Sequence, residues 1–146
     1  MALFTEAGTS SILIALPYAD WRQRPQWPAV ALVNTDPVEE LAPHVGELRL
    51  ITLHFPKFSD GRAYSQARLL RGRLGYEGEL RATGNVLQDQ LPFMLRCGFD
   101  SFESEQKGFA EALAKARTLF SVVYQPAEDH RATAARLRLE ANHFFP

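Results

Sequence analysis

Apolar positions along the chain change their period several times, and each change marks an element. Leu48-Arg-Leu-Ile-Thr-Leu-His-Phe55 is mostly apolar and rich in residues that favour extended backbone. Such a run suits a strand buried on both faces, as in a parallel sheet. Pro56 ends it, because proline has no N–H to give to the ladder. Ala63, Ala67 and Leu70 then recur at i, i+4, i+7, with Tyr64 and Leu74 nearby, which is one face of an amphipathic helix. Ser59 and Asp60 stand before it as capping residues, and Gly72 or Gly75 stops it. The pattern then repeats. Glu79 to Thr83 reads as a strand, and Asn85 with Gln88 gives a capping-box signature. Leu87, Leu91, Met94 and Leu95 form the next stripe, which Pro92 should kink or shorten. Phe99 to Glu103 is another strand, and Ser104 stands as the cap of a helix carrying Phe109, Leu113, Ala116 and Phe120 on one face.

Upstream, Ala29-Val-Ala-Leu-Val33 is a buried strand, and Asp36-Pro37 opens a helix toward His44 with a capping acid and a first-turn proline. Ser11 to Leu16 reads as an edge strand, followed by a loop or short helix packed by Trp21 and Trp27. The expected strands are thus 29–33, 48–54, 79–83 and 99–103, and the expected helices 36–44, 60–73, 86–97 and 105–120. Residues 1–10 are expected to be loose, and 127–146 to form a terminal helix and tail whose Phe144-Phe145 docks on the body or a neighbouring subunit. The whole of 1–146 reads as one domain. Strand and helix in alternation predict right-handed βαβ units and an α/β fold with a mainly parallel sheet. An open doubly wound sheet and a half-(β/α)8 barrel both fit. Either leaves an edge or face to be covered, which predicts a homodimer.

Composition narrows the function classes. The 146 residues suffice for one domain with a real core. Net charge is −1, which offers no broad electrostatic case for nucleic acid. A single cysteine cannot form an internal disulfide, which fits a reducing compartment, and it excludes a cysteine-rich metal or iron–sulfur site held by this chain alone. Ile12 to Leu16 is too short to span a bilayer, and the acidic Glu6 before it argues against a secretory signal. The expectation is a cytoplasmic protein with no membrane partner.

The chemistry-bearing motifs are few. There is no Gly-x-Gly-x-x-Gly after a strand, no Walker A loop and no Gly-x-Ser-x-Gly elbow. His44, His54, His130 and His143 are scattered, so no metal site is expected. Cys97, ending a helix beside Gly98, reads as a buried, inert thiol. What remains is a polar cluster. Parallel βα topology would bring the loops after successive strands to one edge, where such folds bind ligands. That edge would hold His54, Lys57, Ser59, Asp60, Arg62, Arg81, Asn85 and Asp89. Helix N-termini at 60 and 86 would aim free N–H groups into it, and Lys57, Arg62 and Arg81 would supply positive charge. The expected ligand is a small anion such as a sulfur oxyanion, a phosphate or a carboxylate. Asp60 and Asn85 read first as helix caps, and His54 as a core or rim histidine. No catalytic residue is identified.

Three stretches carry a family resemblance. Phe55-Pro-Lys-Phe-Ser-Asp-Gly-Arg-Ala-Tyr-Ser-Gln-Ala-Arg-Leu-Leu-Arg71, Gly78-Glu-Leu-Arg-Ala-Thr-Gly-Asn-Val-Leu-Gln-Asp-Gln-Leu91 and Arg96-Cys-Gly-Phe-Asp-Ser-Phe-Glu103 resemble the signatures of a bacterial family of unknown function. Phe120-Ser-Val-Val-Tyr-Gln125 is similar to the family as well. Its members are commonly labelled oxidoreductases of sulfite reduction, and their genes tend to lie beside those of assimilatory sulfite reductase. The resemblance implies an accessory protein of assimilatory sulfate/sulfite reduction, with sulfite reductase as its partner. The alternative it implies is an oxidoreductase of the same pathway using a flavin or nicotinamide.

Overall fold

The computed structural model of the chain describes residues 2–5, 13–57 and 60–119. Ser59, the tail at 127–146 and Phe120 to Gln125 lie outside the described residues. Six strands are described: β1 (Ala2–Thr5), β2 (Leu16–Pro17), β3 (Ala29–Leu32), β4 (Leu50–Phe55), β5 (Glu79–Gly84) and β6 (Ser101–Ser104). They form one sheet in the order β1-β6-β5-β4-β3-β2. The five strands β2 to β6 are all parallel, and β1 joins β6 antiparallel. The fold is α/β, built from successive βα units.

The order β2 to β6 follows the chain without a reversal. Right-handed crossovers that always step in one direction place every connecting helix on the same face. The core bears this out. Val30, Leu32, Ile51, Leu53, Phe55, Leu80, Ala82 and Phe102 from alternate strand positions share one apolar cluster with residues of all four described α-helices. These are α1 (Tyr18–Trp21), α2 (Arg62–Arg68), α3 (Leu91–Arg96) and α4 (Phe109–Leu119). The sheet is therefore singly wound, as in a sector of a (β/α)8 barrel. A doubly wound sheet would need a reversal of strand order and helices on both faces.

Several elements differ from expectation, each for a local reason. Ala2–Thr5 lies in the segment expected to be loose, yet it pairs with β6 through Leu3↔Glu103 and Phe4↔Phe102. The helix expected at 36–44 is a 3-10 helix, Val38–His44, with Pro43 inside it. Proline cannot donate to a carbonyl four residues back, so a regular α-helix is disfavoured there. Asp36 does not cap it; its Oδ2 accepts the Val33 N–H at 2.8 Å and closes the turn after β3. The capping box at Asn85 and Gln88 does not form either. Leu87 is extended, Gln88–Gln90 is a 3-10 turn, and α3 starts at Leu91 with Pro92 in its first turn, where proline is tolerated. Ser104 Oγ accepts the Gln106 N–H in a local turn, and α4 begins only after Gly108, whose φ is +76°. Beyond Arg68, α2 runs into a π-helical turn, Leu69–Arg73.

Candidate functional site

Alternation along the strands divides their residues between two faces. Opposite the helices lie Leu50, Thr52 and His54 from β4, Glu79, Arg81 and Thr83 from β5, and Ser101 and Glu103 from β6. Register aligns them in rows: Thr52↔Arg81↔Ser101, then His54↔Thr83 toward the C-terminal end. This face is polar although much of it is buried. Thr52, Arg81 and Ser101 are 7%, 6% and 0% exposed.

Arg81 is the centre of that face. Its Nη2 lies 2.6 Å from Glu79 Oε2, its Nη1 3.6 Å from Glu103 Oε1, and its Nε donates to Ser101 Oγ at 3.3 Å. A buried guanidinium needs such partners, because an unpaired charge there would cost several kcal/mol. Arg81 therefore sits in mid-strand and meets two carboxylates, rather than standing in the loop after β5. His54 is one row nearer the C-terminal edge. Its Nδ1 is 3.4 Å from Thr83 Oγ1, and its ring lies against Gly84. A Cβ on Gly84 would stand 2.6 Å from His54 Cε1 and 2.4 Å from the Phe55 carbonyl oxygen, so this close strand crossing requires glycine at φ +85°.

At the edge itself the other expected residues separate. Asp60 joins two loops: its Oδ2 accepts Asn34 Nδ2 at 2.5 Å, and its Oδ1 accepts the Arg62 N–H at 3.1 Å. Arg62 Nε is 3.8 Å from the same carboxylate, but its side chain remains 64% exposed. Lys57 is exposed in the turn after β4, with its carbonyl accepting the Asp60 N–H. Asn85 lines a cavity of about 310 Å3 at the ends of β5 and β6, with Gly84, Glu103, Ser104, Glu105 and Gln106. Asp89 lies elsewhere, in a cleft of about 560 Å3 against α4, beside Glu111 and Lys115. The structure thus brings Asp60 to Arg62 and sets His54 one register row from Arg81 on the polar face. It does not gather all the expected residues around one anion. The N–H groups expected from a helix starting at 86 are also displaced, since Val86 and Leu87 precede the 3-10 turn.

Sequence reading missed a heavily bonded side chain. Arg71, within the π turn, donates from Nε and Nη2 to the Gly98 carbonyl at 3.0 and 2.8 Å. Its Nη1 donates to the carbonyls of Tyr76 and Gly78 at 2.9 and 2.7 Å, and its Nη2 meets Asp100 Oδ2 at 2.5 Å. The same Asp100 oxygen accepts the Leu80 N–H at 3.0 Å. Arg71 thereby joins the end of helix α2, the start of β5 and the approach to β6. Gly98 is adapted to it, since a Cβ there would lie 2.6 Å from Arg71 Cγ. Gln66 was likewise unremarked; its Nε2 donates to the carbonyls of Val33 and Asp36 at 2.9 and 3.1 Å and holds the loop after β3. A glycine near a helix end was the one available signal for Arg71, and it reads equally well as a plain helix stop.

Among the titrating groups, the Tyr64 phenol is pushed up to about 12 by burial, with Cys97 adding to the effect. Burial also raises Tyr76, partly opposed by the Arg71 charge beside it. Cys97 is buried. Among the described residues no three of His, Cys, Asp and Glu converge as metal ligands, and no helix is long and apolar enough to cross a membrane. The family model described as a bacterial protein of unknown function (DUF934) matches residues 29–135. No curated protein and no solved structure matches the chain.

Proposed function

We propose that this chain, which belongs to the DUF934 family of bacterial proteins of unknown function, acts as an accessory protein of assimilatory sulfate/sulfite reduction that binds the reductase. The pathway rests on the likeness of the stretches at 55–71, 78–91 and 96–103 to a family whose genes tend to neighbour those of assimilatory sulfite reductase. The binding role rests on how the arginines are deployed. Arg71 and Arg81 are engaged inside the fold by carbonyls and carboxylates. Arg62, Arg68 and Arg73 face solvent. Positive charge held in the interior secures the scaffold, and positive charge held outside is available to a partner.

The test uses purified protein and purified assimilatory sulfite reductase. The expected outcome is a colourless protein that retains the reductase on an affinity matrix. A bound redox cofactor, seen as a visible band for a flavin or released and identified by mass spectrometry for a nicotinamide, together with no retention of the reductase, would replace this reading with that of a flavin- or nicotinamide-linked oxidoreductase.

A further inference from the structure

Helix α2 and the π turn after it carry Arg62, Arg68, Arg71 and Arg73, and no acid stands among residues 62–76. The chain as a whole has a formal charge of −1, so this segment is a local reversal of the overall balance. Arg71 is turned inward. Arg62, Ser65, Arg68 and Arg73 are exposed, and Lys57 is exposed in the turn before the helix. Arg62 has its 3.8 Å contact with Asp60, while Lys57, Arg68 and Arg73 form no ion pair among the described residues. A helix face that serves only solubility commonly interleaves acids with bases at i, i+4, because like charges repel at that spacing. This face has no such acid.

Beside it stands an aromatic pair. Phe93 on α3 is 47% exposed, although it is a large apolar side chain. Its ring centroid lies 4.7 Å from that of Tyr64. Tyr64 precedes Arg68 by four residues, which places the two on one side of α2. An exposed ring stacked on a tyrosine that shares its side of α2 with an arginine has the composition of a protein–protein contact centre, where aromatic residues and arginine are enriched.

We infer that the outer face of α2, with Lys57, Arg62, Arg68 and Arg73 as its charges and Phe93 on Tyr64 as its apolar anchor, docks an acidic patch on a partner protein. The inference rests on the accessory reading for the partner's identity, but the charge complementarity stands apart from it. Duplex DNA is the less suitable occupant, because its affinity comes mainly from phosphate contacts and makes little use of an exposed phenylalanine.

Two immobilised probes separate the possibilities: purified sulfite reductase, and poly-L-glutamate as an acidic polymer. The patch variant is R62E/R68E/R73E. The control is R24E/R49E/K107E, which makes the same charge change at other exposed positions. Circular dichroism should show both folded, since exposed charges contribute little to stability. Wild type and control are expected to bind both probes, with affinity for each falling about tenfold or more in the patch variant, a loss of ~1.4 kcal/mol. F93A should weaken binding to the reductase and leave poly-L-glutamate binding unchanged. Equal binding by wild type and patch variant on both probes overturns the surface and leaves the accessory function standing. Patch-dependent binding to poly-L-glutamate, with no wild-type binding to the reductase, supports the surface and overturns that function. Tighter, patch-dependent binding to duplex DNA or to phosphatidylglycerol vesicles than to either probe overturns the assignment to a protein partner.

Discussion

Arg62, Arg71 and Arg81 show how one residue type does three different things in this chain. Arg62 is largely in solvent, Arg81 neutralises two carboxylates on a buried sheet face, and Arg71 holds three carbonyls and a carboxylate. Residue identity alone made Arg62 and Arg81 look alike, as charges for one anion. The position of Arg81 within its strand was legible, because Glu79 to Thr83 read as extended. Its partners were not, because register with Ser101 and Glu103 depends on a pairing that local sequence does not encode. For Arg71 the expected effect of substitution is large. Arg71→Ala leaves the Gly98, Tyr76 and Gly78 carbonyls without this donor, and an unsatisfied buried acceptor costs ~1–3 kcal/mol; the ion pair adds little, because the Asp100 side chain is 42% exposed and keeps the Leu80 N–H. Arg71→Lys should recover only a small part, because an ammonium cannot reproduce the planar fork that reaches all four partners. Urea denaturation of the two variants checks this; a Lys variant as stable as wild type would reduce Arg71 to a point charge.

At the scale of elements, the strands were read well and the helix starts poorly. Ala29–Leu32, Leu50–Phe55 and Glu79–Gly84 follow directly from apolar, β-prone runs bounded by proline and glycine. The helices at 36–44 and 86–97 were drawn too long, because capping residues and turn residues are the same residue types. Asp36, Asn85 and Ser104 all looked like caps, and Asp36 and Ser104 close turns instead. The π turn after α2 had no visible signal, yet it is the segment that carries Arg71 into the interior. The packing of α2 against α3 also has a pH signature. Tyr64 lies between Phe55 and Phe93, with ring centroids 5.0 and 4.7 Å away, and burial holds its phenol protonated up to about 12. The folded state therefore keeps a proton that the unfolded chain releases above the ordinary value of 10.0. By linkage, this stabilisation is fully present below pH 10 and is lost as pH rises toward 12. Tyr76 acts in the same direction in every variant that retains it. Thermal unfolding across that range should show wild type losing more stability than Tyr64→Phe; parallel curves would mean that the Tyr64 phenol ionises freely in the fold.

For the molecule as a whole, alternation of strands and helices was enough to name the α/β class, but not to choose between a doubly wound sheet and a barrel sector. That choice depends on the direction of each crossover, which several local patterns satisfy equally. The sequential order decides it and places the helices on one face. It also explains the divided candidate site. A sheet whose strand order reverses opens a crevice at the reversal, where loops from both halves converge on a ligand. A sheet that never reverses spreads its loops along one edge, so Asp60 and Asn85 serve different neighbours.

The antiparallel pairing of β1 with β6 has a further consequence, in time rather than in space. Ala2–Thr5 leave the ribosome before the other five strands, but their partners Ser101–Ser104 are made only after four parallel strands have been synthesised. At roughly 5–20 residues per second, this strand must wait several seconds while the βα units behind it form in order. The longest closure in the sheet is thus also the last one made, and non-local pairings of this kind are slow to form. Removing residues 1–5 should therefore leave the refolding rate of the parallel strands nearly unchanged and raise the unfolding rate, as expected for contacts absent from the transition state. Stopped-flow fluorescence of Trp21, buried near the opposite edge, would follow both rates. A marked slowing of refolding in the truncated chain would instead place β1 in the nucleus.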